Sequence, residues 1–171
     1  MIKVCLDTSF LASAFDRRGP GHENAVRYLE FWARHPEIAL LVPTVVLAEY
    51  NVVGQLDLEE VGPSALLCAF GEQEALLAAR LHRAWKARKD LPNPMQGMPG
   101  GRQAVKDDFK VLATALAHEA AVVATEDRRT LCAFLDLCKG LCATPPLPLL
   151  TTEPFSEDLA SGEVQSSLPL G

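Results

Sequence analysis

The chain is predicted to be an α/β protein, a parallel sheet of about four strands flanked by helices on both faces. Three observations carry this. Apolar runs at 2–6, 38–42, 121–125 and 147–151 have strand length and are too short for independent helices. Stretches with helical periodicity separate them, the alternation expected of βαβ units. Most of these runs are apolar throughout rather than alternating, as in strands buried on both faces.

The elements follow in chain order. Residues 2–6, with β-branched Ile2 and Val4, form a strand that stops at Asp7-Thr8-Ser9, residues suited to opening a helix. Between 22 and 34, Ala25, Val26, Leu29 and 31–33 recur at near-helical spacing, and His35-Pro36 ends that helix. A second strand at 38–42 leads through Pro43 and Thr44 into an apolar helix running to about Val53, with Gly54 as its stop. Residues 58–70 read as helical, interrupted at Gly62-Pro63. Leu76, Leu77, Leu81, Ala84 and Trp85 mark an amphipathic helix over 72–89 with a basic outer face. Five of the residues in 90–103 besides Gly101 are Pro or Gly, which favours an irregular loop. Helix resumes from about Val105 to Glu119, a third strand covers 121–125, and a further helix covers 128–137. Residues 147–151 suit an edge strand, since Pro148 cannot donate to a central ladder.

A length of 171 residues fits one core, assigned to 1–155, with a polar tail at 156–171 expected to be loose. No apolar run reaches the roughly 18 residues of a membrane span, and the opening MIKVCLDTSF lacks signal-peptide character, so a cytoplasmic protein without a membrane partner is expected. The five cysteines are odd in number and mostly sit in apolar segments, which argues against a disulfide framework. Cys138 and Cys142 are spaced as half a zinc site, but no second half accompanies them.

Four carboxylates stand out against these surroundings. Asp7 directly follows a strand and Asp127 lies two residues past another, the end of a parallel sheet where ligands bind. Either could instead cap the next helix. Glu49 has Val45, Val46, Val52 and Val53 three and four positions away, so it falls on an apolar helix face. There it must be paired with a cation, protonated or bound to metal. Asp107 and Asp108 fall near a helix start, where the macrodipole favours acids. Asp108 continues the stripe of Val111, Leu112 and Ala115, whereas Asp107 points about 100° away. An oxygen-only set of this kind selects a hard cation, Mg²⁺ or Mn²⁺, able to activate water for attack on a phosphodiester. Ser9 has no His partner and reads as a hydrogen-bonding support for Asp7 or a helix cap.

The segments KVCLDTSFL, PTVVLAEY, KDDFKVLATALAHEA and VVATEDRR, in this order across residues 3–129, resemble the motifs of PIN-domain nucleases. The resemblance maps onto Asp7, Glu49, Asp108 and Asp127 and selects Asp108 over Asp107. It implies a PIN-like fold and a Mg²⁺- or Mn²⁺-dependent endoribonuclease acting on structured RNA such as tRNA or rRNA. Asp7 and Asp108 would be the metal ligands, with Glu49 and Asp127 completing the catalytic set. The compact single-domain members it resembles are VapC-like toxins, which implies a homodimer silenced by a protein antitoxin. A PIN-fold RNA-processing or scaffold protein with little or no nuclease activity is the alternative.

The formal net charge of −6 excludes general electrostatic attraction to nucleic acid, so cations must be concentrated locally. Arg80, Arg83, Lys86, Arg88 and Lys89 fall in ten consecutive residues, and Arg102 and Lys106 follow; the run reads equally as a phosphate track or as a solvated helix face. Aromatic residues make up 6% of the chain, too few to suggest an extensive base-stacking platform. His22, His35, His82 and His118 show no ligand spacing.

Overall fold

In the computed structural model, which describes residues 1–52, 54–88 and 101–163, five parallel strands form one sheet in the order β3-β2-β1-β4-β5. The strands are β1 (Ile2–Leu6), β2 (Ile38–Pro43), β3 (Ala65–Cys68), β4 (Val122–Thr125) and β5 (Leu147–Leu150). The helices are α1 (Thr8–Phe15), α2 (His22–Arg34), α3 (Thr44–Tyr50), α4 (Leu58–Val61), α5 (Glu72–Ala87), α6 (Gly101–Ala117), α7 (Leu131–Cys138) and α8 (Glu157–Ala160). No described helix is long and apolar enough to cross a membrane.

Every residue of β2 and β4 is buried, which requires cover on both faces of the sheet. One group of helices joins α1, α2 and α8; another joins α5, α6 and α7, with α6 laid over β1, β2 and β4. Phe10, Tyr28 and Trp32 fill the first group, their rings 5.6 Å apart in successive pairs. Trp85, Phe109 and Phe134 fill the second. Pro148 sits on edge strand β5 beside Val123, where its missing N–H leaves no central ladder unsatisfied.

Five strands replace the expected four. The stretch 58–70 is not one broken helix: α4 stops at Gly62, whose φ of 144° suits glycine alone, and the chain then pairs as β3 against β2. Ala-Leu-Leu-Cys carries little strand propensity of its own, so the strand follows from its neighbour's open ladder. Leu66 and Leu67, about half exposed on this edge, do not alternate in burial and so give no period-2 signal. Similarly, α3 ends at Tyr50 rather than near Val53, and Val52 lies 83% exposed beyond it. Helix α6 starts at Gly101, within the stretch expected to be loop; residues 90–100 of that stretch lie outside the described residues. Residues 128–130 form the turn before α7.

The tail is not loose from Ser156 onward. Ser156 caps α8, the buried Trp32 indole donates to the Ala160 carbonyl at 3.0 Å, and the Ser156 amide donates to the Tyr28 hydroxyl at 3.1 Å. These bonds satisfy two otherwise buried aromatic polar groups and carry the packed chain to residue 163. Residues 164–171 lie outside the described residues. All five cysteines are free thiols.

From β1 the chain adds β2 and then β3 on one side, whereas β4 and β5 lie on the other. The direction of winding therefore reverses between β1 and β4, and a crevice opens beyond their carboxyl ends. Asp7 and Asp127 both emerge there.

Candidate active site

Asp7 leaves β1 with its amide bonded to the Ala124 carbonyl at 3.0 Å, which fixes its height against β4. It occupies the N-cap position of α1 yet makes no side-chain cap bond. Its Oδ2 instead accepts from the Ser9 hydroxyl at 2.6 Å and the Thr125 hydroxyl at 2.8 Å. Those hydroxyls in turn accept from the Glu126 amide at 2.8 Å and the Asp127 amide at 2.9 Å. A buried hydroxyl network thus laces the ends of β1 and β4 around one carboxylate. Both hydroxyl bonds fall on Oδ2. Burial raises the Asp7 pKa, and the Ser9 and Thr125 hydroxyls oppose the rise.

Asp108 lies seven residues past Gly101, beyond the first turn to which the helix dipole's stabilisation of acids is confined. A helix-terminal charge therefore does not account for it. Among the described residues its Oδ2 is buried without a hydrogen-bond partner. Burial lifts its pKa to about 7; the Thr130 hydroxyl pulls the other way, and the negative charges of Asp127, Asp7 and Glu49 add to the rise. The field at Asp108 therefore registers all three of the other acids.

Glu49 is half-buried, less enclosed than its four valine neighbours suggested, because α3 ends before the last two of them. Its Oε2 accepts from the Thr8 hydroxyl. Burial raises its pKa, Thr8 lowers it, and among nearby charges Asp107 and Asp7 raise it while Lys110 lowers it. Asp107, expected to point away, is instead buried: Lys110 Nζ donates to it at 2.6 Å and Gln103 Nε2 at 2.7 Å. The ion pair and amide occupy both its oxygens.

Asp127 does not cap α7, whose N-cap position is Thr130; it braces the turn before that helix. Its Oδ1 accepts from the Arg129 amide at 2.8 Å and the Thr130 amide at 2.9 Å, and its Oδ2 from the Thr130 hydroxyl. The turn before α7 thereby presents Thr130 between Asp127 and Asp108. Bracing the turn and participating in an acidic centre are compatible here, since the turn's amides orient the carboxylate that Asp108 senses.

The fold therefore gathers Asp7, Glu49, Asp108 and Asp127 at one end of the sheet. Ser9 supports Asp7, one of the two roles its position suggested. Of the hydroxyls that support these acids, the sequence named Thr8 only as a helix-opening residue and did not single out Thr125 and Thr130. Their signal was their placement immediately beside or within three residues of Asp7 and Asp127.

Chemically, the centre offers oxygen donors. Among the described residues no three His, Cys, Asp or Glu side chains are grouped to enclose an ion. A hard cation such as Mg²⁺ needs no such cage, since it is commonly held by one or two carboxylates with water and phosphate oxygens. The unpartnered, buried Asp108 Oδ2 and the oxygen-only donor set fit that mode.

Close packing also constrains the start of α2, beside Glu126, whose amide meets Ser9. A Cβ on Gly21, the residue before that helix, would lie well inside van der Waals contact of buried Thr151 Oγ1 and of Glu126 Oε1. Gly21→Ala is expected to cost about 1–3 kcal/mol by overpacking. A denaturant melt checks this, with an unchanged midpoint as the contrary result.

A sequence model of the PIN domain matches residues 4–135. No curated protein matches the chain. Among solved structures, a chain from the crystal structure of VapBC2 from Rickettsia felis bound to a DNA fragment from their promoter is similar in fold. It is 15% identical with a TM-score of 0.52, and the match covers 85% of this chain and 97% of that one.

Proposed function

The chain belongs to the PIN-domain family, and from that premise we propose that it is a Mg²⁺- or Mn²⁺-dependent endoribonuclease, the toxin of a toxin–antitoxin pair. The observation that carries this reading is Asp108: a carboxylate whose Oδ2 is buried without a partner, surrounded by three more acids, is costly unless a cation joins it.

In this reading Asp7 and Asp108 hold the ion, and Glu49 and Asp127 complete the pocket and position the attacking water. When bound, a divalent cation supplies a more acidic water and neutralises charge developing on the phosphodiester. The chain's own contribution is orientation. Thr8 fixes the Glu49 carboxylate, Ser9 and Thr125 hold Asp7 through Oδ2, and Thr130 holds Asp127. Lys110 and Gln103 hold Asp107 in an ion pair and so keep it from competing for the ion.

Thr125→Val removes one donor to Asp7 and the acceptor of the Asp127 amide, and is expected to weaken metal affinity and cleavage by about 10–100-fold. Titration of Mn²⁺ against activity checks this, and full activity at low Mn²⁺ would contradict it.

The antitoxin part of this reading draws on the likeness to a chain of the VapBC2 assembly; a homodimer and a cytoplasmic location belong to the same proposal. The substrate test offers purified protein total tRNA, rRNA and single-stranded DNA with Mn²⁺. Cleavage of RNA in preference to DNA is expected. Cleavage of DNA alone would overturn the substrate assignment, and cleavage of neither would overturn the nuclease reading.

A further inference from the structure

Resting on the RNA-cleavage reading, we propose that Arg80, Arg83, Lys86 and Lys106 form a docking face for the RNA phosphate backbone beside the carboxylate centre. All four side chains are exposed, and none has a hydrogen-bond or ion-pair partner among the described residues. Their basic neighbours differ: Arg88 pairs with Asp136 at 3.4 Å and Lys110 with Asp107. In a chain of net charge −6, cations left without acids on one face make a local positive field against an acidic background.

The packing of α5 on α6 sets this face against the helix that carries Asp108. The rings of His82 and Trp85 on α5 lie 5.7 and 6.0 Å from that of Phe109, the residue after Asp108. Arg83 and Lys86 are the chain neighbours of these two rings, and Lys106 precedes Asp108 by two positions. The His82 pKa is lowered first by burial and then by Lys86 and Lys106, which places both cations around one ring.

Arg80, Arg83 and Lys86 recur every three residues, so they span about 9 Å along the helix. That is room for at least two to three successive phosphates, taking the duplex-DNA rise of about 3.4 Å per strand as an upper guide. Trp85 and Phe109 are buried beneath the charges, so no aromatic anchor of the kind that dominates protein interfaces is offered here. Phosphate is the better fit.

The test uses the full chain carrying Asp7→Asn, so that RNA is retained, and measures binding of a labelled RNA hairpin across a KCl series. Adding R80Q, R83Q, K86Q and K106Q is expected to reduce the slope of log K against log salt by about 3, from four contacts at about 0.7–0.9 each. Affinity at low salt should fall at least tenfold. The charge-preserving set R80K, R83K, K86R and K106R should retain both, and thermal melts verify that each variant is folded.

Unchanged slope and affinity in the neutralised variant would overturn the proposal. So would unchanged RNA binding with loss of binding to poly-glutamate, which would assign the face to an acidic protein segment. Cleavage by the chain with Asp7 intact separates the two readings. Cleavage alongside an unchanged slope sinks the docking face and spares the nuclease; a reduced slope without cleavage does the reverse.

Discussion

Asp7→Asn is expected to reduce Mn²⁺-dependent RNA cleavage by about a thousandfold or more while the fold survives. The size follows from the several kcal/mol of charge stabilisation that a divalent cation contributes, with each 1.36 kcal/mol worth a factor of ten. Survival follows from the hydrogen bonds: the Asn carbonyl oxygen can still accept the Ser9 and Thr125 hydroxyls that now meet Asp7 Oδ2. The check is a cleavage time course beside a thermal melt. An unchanged rate would remove Asp7 from the chemistry, and a collapsed melting transition would show that its role is to hold β1 against β4.

The second large effect concerns stability, in the absence of metal. Burial pushes the Asp108 carboxyl up to about 7 in the folded chain, from the ordinary aspartate value of 3.8 when unfolded. Between these values the folded state binds more protons than the unfolded one. Stability contributed by the protonated form is thus fully present below the unfolded value and lost as pH rises through about 7. At pH 8 the ionised group costs up to about 4 kcal/mol, an upper bound because water and neighbouring groups relax around it. Asp108→Asn removes that titration. The variant is expected to melt several degrees above the parent at pH 8 in chelator, and to show a flatter pH dependence between 4 and 8. Equal melting temperatures at both pH values would mean that Asp108 is not held in the unfavourable environment described above.

Much of the frame was legible in the residues. The runs 38–42 and 121–125, and 2–6 apart from Lys3, are almost wholly apolar because both sheet faces are covered, and a covered strand has few alternatives. Pro148 marked an edge strand through its missing donor. The edge strand β3 was not legible, since Ala65–Cys68 is helix-like in composition and is held as strand by pairing with β2. At the site, the positions of Asp7 and Asp127 after strands were readable, whereas their hydrogen bonds were not. Which carboxylate caps a turn and which is left with an unpartnered oxygen depends on hydroxyls brought from Thr8, Thr125 and Thr130 by the fold. Glu49 illustrates the reverse error. Its valine neighbours exaggerated its burial because helix periodicity was carried past Tyr50, where α3 ends. Asp107 escaped for a related reason: a longer α6 brings Gln103 onto the same helix face, where it joins Lys110 in enclosing that acid.

The central claim is that Asp7 and Asp108, with Glu49 and Asp127 around them, hold a divalent cation. Calorimetric titration of Mn²⁺ into the parent chain and Asp108→Asn at neutral pH tests it most directly. The account predicts saturable binding in the parent, accompanied by proton release from the Asp108 carboxyl, and its loss in the variant. Absence of binding to the parent, or equal binding to both chains, would contradict it.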